Sequence, residues 1–162
     1  MSILTAIHLT CCLLANTAGA KLLSGLLAGE LIEKWFIAFF RCSLAASLTG
    51  LFISFPFQQL LPMHWIAMSS VYVSGAAILA RRFFHLNGIW RFICAFCIPI
   101  VLCLNIFLVT AQVFKLISVL RALSPTQSEP VFLIAQLFVL ALFAVLGAIA
   151  ARRFCRRTNQ SL

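Results

Sequence analysis

The chain contains no aspartate, and its only acidic residues are Glu30, Glu33 and Glu129. Charged residues make up 9% of the 162 residues, whereas 64% are hydrophobic. This composition excludes a soluble globular domain, which needs a polar shell around its core. The long apolar stretches also lack any carboxylate. That absence argues against a small proton-coupled exporter of cationic drugs, because such a transporter exchanges protons at an acidic residue within the membrane.

Motifs for metal, phosphate or nucleophilic chemistry are missing as well. The three histidines stand apart, without acidic or cysteine partners at ligand spacing. There is no glycine-rich phosphate loop and no H-E-x-x-H. We therefore expect no metal, no cofactor and no enzymatic activity. The net charge of +9 does not indicate nucleic-acid binding, because most of the cations lie beside the ends of apolar runs.

What the chain does contain is long runs without charge, of which the longest extends from Cys42 to Ala80. A helix of about 20 apolar residues crosses a bilayer. The longest run therefore needs a break, and Pro56 and Pro62 at its centre predict one. We predict an all-α bundle with five transmembrane spans in one integral membrane domain covering residues 1-162, with the lipid bilayer as its surroundings. The predicted spans are 3-20, 35-55, 63-80, 92-113 and 131-151; if the first segment only lies at the membrane surface, four remain.

Lysine and arginine residues predict the orientation of these spans. One set of alternate loops carries eight cations, and the other set carries only Lys115 and Arg121. The eight are Lys34, Arg81, Arg82, Arg91, Arg152, Arg153, Arg156 and Arg157. Cations accumulate on the cytoplasmic side of membrane proteins. The C-terminus is therefore expected in the cytoplasm, and the most suitable location is the plasma (inner) membrane.

Small residues one helical turn apart occur in several predicted spans. These pairs are Gly25 and Gly29, Ala46 and Gly50, Ser70 and Ser74, and Gly147 and Ala151. Such spacings allow the backbones of membrane helices to approach closely. They predict either packing within one bundle or contact with a homo-oligomer or another membrane protein.

Polar side chains within the apolar segments are the candidate site residues. His8, His64, Asn105, Gln112 and Gln136 are all predicted in the outer half of the bundle. They either line a small polar pocket or form hydrogen bonds between helices. Near the other end, Arg41 either extends its side chain to the cytoplasmic surface or binds Glu30, Glu33 or an anionic lipid headgroup. Glu33 and Arg41 are the candidate charge pair.

Seven cysteines include the pair Cys94 and Cys97 at C-x-x-C spacing. The predicted topology places Cys94 near the cytoplasmic side, where thiols stay reduced, so a thiol redox enzyme is a remote alternative. The main expectation is a non-enzymatic membrane scaffold or accessory subunit. A small oligomeric carrier or channel for an anionic or polar solute is the other alternative.

Overall fold

The computed structural model describes residues 3-53, 62-124 and 129-159, and it is all-helical, with no strand among those residues. Five long helices and one short helix follow in order. Their bounds are α1 Ile3–Leu27, α2 Glu33–Ile53, α3 Pro62–Arg82, α4 Ile89–Leu116, α5 Ser118–Leu123 and α6 Pro130–Asn159. The all-α class predicted from the sequence is therefore confirmed.

Helix α4 is the centre of the arrangement. It packs against α1, α3 and α6, while α2 packs against α1 and α3. Helix α6 lies outside this group, against α4 and α1. The short helix α5, which the sequence analysis did not predict, packs against α4 at the end of the bundle.

Four helices are long and apolar enough to cross a membrane: α1, α2, α4 and α6. Helix α3 has the same length as α2, 21 residues, but is the least apolar of the long helices. Its sequence includes His64, Ser69, Ser70 and Ser74 together with two terminal arginines. The length of α3 is therefore sufficient for a membrane span, but its composition is more polar than that of the other long helices.

The first helix is longer than the predicted span, which ended at Ala20. It continues to Leu27 because Leu22 and Leu26 are fully buried in the core. The helix then stops in a glycine cap, in which the Gly29 N–H donates to Leu26 O and the Glu30 N–H donates to Gly25 O. Gly29 has a φ of 81°, a conformation that glycine adopts without steric cost. Gly29, one of the small-residue pair Gly25 and Gly29, thus caps the end of α1.

The predicted break at Pro56 and Pro62 separates α2 from α3, although residues 54-61 lie outside the described part of the chain. Pro62 is the first residue of α3, where its missing N–H has no helical partner to lose. Helix α6 begins similarly at Pro130, and Glu129 O accepts the first helical hydrogen bonds from the Phe132 and Leu133 N–H groups.

A tight turn joins α3 to α4. His85 and Leu86 both adopt positive φ angles, 49° and 58°, which are costly for residues other than glycine. The Leu86 N–H donates to Ala80 O, and the ring of Phe84 stacks on Trp90 with centroids 3.7 Å apart. These contacts hold the two helices side by side and antiparallel.

Contacts along α4 and α6 define an antiparallel register. At one end the rings of Phe114 and Phe132 meet edge to face, with centroids 5.2 Å apart. Farther along, Gly147 lies so close to Pro99 that an added Cβ would be 3.0 Å from the proline Cγ. Helices α4 and α6 therefore touch where Pro99 of α4 packs against Gly147 of α6.

The buried apolar cluster occupies one half of the bundle. It contains Phe36, Phe39 and Phe40 of α2, Leu22 and Leu26 of α1, and Ile98, Val101 and Leu102 of α4, and it extends to Phe154 of α6. In the other half, buried positions include small and polar residues, among them Ser47, His8 and His64. The two halves therefore differ in what holds the helices together.

Gly19 is the closest approach in the core, and its substitution tests the packing. A Cβ at Gly19 would lie 2.7 Å from both Leu102 Cδ1 and Phe39 Cε2, whereas nothing lies within 4 Å of a Cβ at Gly75. We expect Gly19→Ala to destabilise the bundle by about 1–3 kcal/mol through overpacking. Gly75→Ala should be neutral or stabilise by up to about 1 kcal/mol, because alanine favours a helix. Thermal unfolding of both variants in the same lipid provides the measurement, and equal effects of the two changes would contradict the packing.

Candidate functional site

A cavity of about 380 Å³ lies between α1 and α4. Its wall is almost entirely apolar and is formed by Leu9, Leu13, Leu108, Val109, Val113 and Ile117 together with His8, Cys12 and Gln112. The cavity volume is in the lower part of the range of small-molecule sites. Two residues of the predicted polar pocket, His8 and Gln112, therefore meet here, in surroundings that are mainly apolar.

His8 is held in one orientation by its neighbours. Its Nδ1 lies 3.0 Å from Ala46 O on α2, and since a carbonyl oxygen only accepts, the proton is on Nδ1. Thr49 Oγ1 lies 3.1 Å from the same nitrogen. The unprotonated Nε2 then accepts a weak hydrogen bond from the thiol of Cys12, at 3.7 Å. The imidazole thus fastens α1 to α2 beside the cavity.

Asn105 lies in a different interface. Its Nδ2 donates to Ser43 Oγ at 2.8 Å, which joins α4 to α2 through two fully buried side chains. Ser47, Ser70 and Ser74 are also buried, and none of their hydroxyl oxygens has a hydrogen-bond partner among the described residues. We refer to these five residues as the buried polar residues of α2, α3 and α4. A buried polar group without a partner costs about 1–3 kcal/mol.

The remaining residues of the predicted pocket do not line this cavity. Gln136 Nε2 donates to Phe107 O at 3.4 Å, in the interface between α4 and α6. His64 is buried in the first turn of α3. Of the five side chains, His8 and Gln112 therefore line one cavity, whereas Asn105 and Gln136 bond to neighbouring helices. Asn105, Gln136 and His8 each form a hydrogen bond to another helix.

Helix ends with opposite charges meet at the other end of the bundle. Arg81 at the end of α3 donates from Nη2 and Nε to Glu33 Oε2 at 2.6 and 3.0 Å. Arg153 of α6 donates from Nη1 to Leu27 O at the end of α1, at 3.2 Å. We call this the cationic end. Each of the five long helices has one end here. The alternating charge pattern had assigned these five ends to the same side of the membrane.

Glu33 therefore pairs with Arg81, whereas the sequence analysis considered Arg41 as its partner in one of two alternatives. Glu33 and Arg41 are eight residues apart in the same helix, about 12 Å along its axis. The antiparallel packing of α3 on α2 brings Arg81 within direct contact of Glu33. Arg41 is exposed on the surface of the bundle.

The cysteines form no metal or redox centre among the described residues. All seven are free thiols, and Cys94 and Cys97 are both buried within α4. No group of three or more potential metal ligands occurs in the part of the chain that the structure describes. A thiol that reacts with a partner must be reached by it, so the positions of Cys94 and Cys97 give the redox alternative no support.

The residues that the sequence analysis missed are the buried serines and Arg81. Ser43 and Ser47, like Ser70 and Ser74, are four residues apart and therefore lie on one face of their helix. The second pair was considered only as a small-residue packing motif. Its position in the charge-free stretch from Cys42 to Ala80 was the available signal, because hydroxyl groups within an apolar span need a partner.

Comparison with models of known protein families, with curated proteins and with solved structures gave no match. The geometry of the chain therefore carries the functional argument by itself.

A double-mutant cycle tests the charge pairing. Glu33 and Arg81 are half-exposed and about one-third exposed, and exposed ion pairs contribute about 1 kcal/mol or less. We expect Glu33→Gln and Arg81→Gln to show a coupling energy within that range when unfolding is measured in lipid at low salt. The control cycle with Arg41→Gln should be additive. A larger coupling of Glu33 to Arg41 than to Arg81 would contradict the observed pairing.

Proposed function

We propose that the chain is a five-span protein of the plasma (inner) membrane, with its C-terminus in the cytoplasm, that serves as a non-enzymatic scaffold or accessory subunit. The observation that carries this proposal is the exposed surface of α6. Its side chains Leu133, Ile134, Leu137, Phe138 and Val145 are each at least half exposed. A large apolar surface of this kind is suited to lipid or to another membrane protein.

The packing of α3 supports its assignment as the fifth span. Helix α3 packs against α2 and α4, and its last turn meets the first residue of α2 through Arg81 and Glu33. Its 21 residues extend about 31 Å, the thickness of the hydrocarbon region. Two of its serines, Ser70 and Ser74, face the bundle interior. Because α3 packs along α2, which is long and apolar enough to cross a membrane, we assign α3 as a span as well, although its own hydropathy is low.

The cationic end supports the proposed orientation. Arg81, Arg91 and Arg153 lie at the ends of α3, α4 and α6 that come together there. Membrane proteins retain such arginine-rich ends in the cytoplasm. The opposite end of α6, at Pro130, then faces outside.

A carrier or channel for an anionic or polar solute is the second candidate. The buried polar residues of α2, α3 and α4 favour it, since polar side chains within a membrane bundle commonly mark solute pathways. The apolar cluster that fills the other half of the bundle opposes a continuous pathway. We therefore place the scaffold proposal first.

Reporter fusions test the span count and the orientation. A reporter after Leu162 and one inserted at Asn87 should both be active only in the cytoplasm. A reporter inserted between Ser124 and Glu129 should be active only outside, because it precedes the single span α6. Opposite sides for the first two reporters would remove α4 or α6 from the set of spans, and an outside C-terminus would reverse the orientation. A further reporter at Gln58 should be active only outside, and its activity in the cytoplasm would remove α3 from the set of spans.

Matched phenylalanine variants test the scaffold role. Phe138 of α6 and Phe52 of α2 are both 69% exposed. After gentle extraction at native expression, we expect a second membrane protein or a second copy of the chain to be recovered with the wild type. Phe138→Ala should reduce that recovery several-fold, and Phe52→Ala should leave it unchanged, because only the first lies on the proposed surface. A chain recovered alone and as a single copy would overturn the scaffold proposal.

A further inference from the structure

The cavity between α1 and α4 opens on the surface of the bundle. Its wall is formed by residues of these two helices and by Ile117, directly after α4. Three wall residues remain exposed: Leu13 by 63%, Ile117 by 47% and Val113 by 39%. In a bilayer, the open side of the cavity therefore adjoins the hydrocarbon of the surrounding lipid.

The cavity follows the helix axes over the depth of one lipid leaflet. The close approach of Gly19 to Leu102 sets the register of the antiparallel helices α1 and α4. Leu13 and Leu108 each lie six residues from this contact, away from the cationic end, and are therefore at one depth. From Leu108 to Ile117 the wall extends over nine residues, or about 13 Å. Half of the hydrocarbon thickness is about 15 Å.

Helix α6 does not close the cavity, although it packs on both α1 and α4. At this end its contacts are with α4, through the rings of Phe132 and Phe114 and through Gln136. Its hydrogen bond to α1, from Arg153 to Leu27 O, lies at the cationic end. Among the described residues, no third helix contributes to the wall.

The two polar groups nearest the cavity do not oppose an apolar guest. His8 uses Nδ1 for Ala46 O and Nε2 for the thiol of Cys12, so both ring nitrogens are engaged within the protein. Gln112 is half-buried and lies four residues before the end of α4, close to the polar border of the bilayer. No charged residue belongs to the described wall.

The dimensions and the chemistry of the cavity select a single hydrocarbon chain. A volume of about 380 Å³ over about 13 Å corresponds to a mean width of about 5 Å. Carbon atoms in contact are about 3.5–4.0 Å apart, so the cavity accommodates one chain but not two side by side. Apolar cavities exclude water. We propose that the cavity holds one acyl chain of a bilayer lipid, whose headgroup stays at the membrane surface beyond Ile117.

The proposal goes beyond the scaffold role and rests only on the proposed insertion into a bilayer. Insertion is checked separately, by flotation of the chain with liposomes after alkaline extraction. Loss of the chain from the liposomes would refute insertion. The lipid measurement is then made on the floated material, so the two failures are distinguishable.

Photocrosslinking in these liposomes tests the wild-type chain. The probe is a phosphatidylcholine with a diazirine midway along one acyl chain, and mass spectrometry locates the labelled residues. The control is Leu137 of α6, which is 62% exposed. The contact of Gly147 with Pro99 places it at nearly the depth of Leu108.

We expect Leu108, a half-buried wall residue, to be labelled several-fold more than Leu137. Lipid that only surrounds the bundle would label the more exposed Leu137 at least as strongly, and that result would overturn the proposal. Weaker labelling of Leu108, as expected if a side chain from a second copy filled the cavity, would overturn it as well.

A filled cavity and a matched surface variant locate the bound chain. Val109→Trp places an indole among the wall residues and should reduce the labelling of Leu108 several-fold. Val145→Trp makes the same change on α6, where the side chain is 58% exposed, and should leave that labelling unchanged. Unaltered labelling of Leu108 in Val109→Trp would refute the site. If this variant does not fold, the wild-type comparison of Leu108 with Leu137 still decides whether the cavity holds a chain.

Discussion

The close approach at Gly19 is the contact on which the rest of the bundle depends. The absent side chain lets α1 lie against Phe39 of α2 and Leu102 of α4 at once, and α6 then packs on α1 and α4. Within lipid, apolar side chains gain little by leaving the surrounding hydrocarbon, so association relies on dense packing. The absence of a side chain at Gly19 is therefore a condition for this packing of α1 against α2 and α4.

The two halves of the bundle use different interactions. Toward the cationic end, phenylalanine and leucine side chains fill the space between helices. From the depth of Asn105 outward, hydrogen bonds from Asn105, His8 and Gln136 connect the helices, and a cavity opens between α1 and α4. The second half is thus more suited to hosting a guest, and the first to holding the helices in register.

Much of the helical framework followed from simple patterns. The prolines indicated where α3 and α6 begin, and the charge-free runs indicated the helices themselves. The end of α1 was missed because the sequence contains Lys21, which suggested a membrane boundary, although its helix continues to the cap at Gly29. The low hydropathy of α3 reflects serines that face the interior, and composition alone does not distinguish these from serines exposed to solvent.

The sequence by itself determined the helical class, the apolar character of the long helices and the asymmetric distribution of cations, because these properties depend on composition and on distance along a helix. Depth was also predictable, since each residue advances a helix by about 1.5 Å. Only the tertiary structure decided which side chains meet: Glu33 with Arg81, His8 with the cavity, and Asn105 with Ser43. The physical reason is that these contacts depend on which helices are neighbours and on how each is rotated about its axis. Both are set by packing between segments distant in the chain.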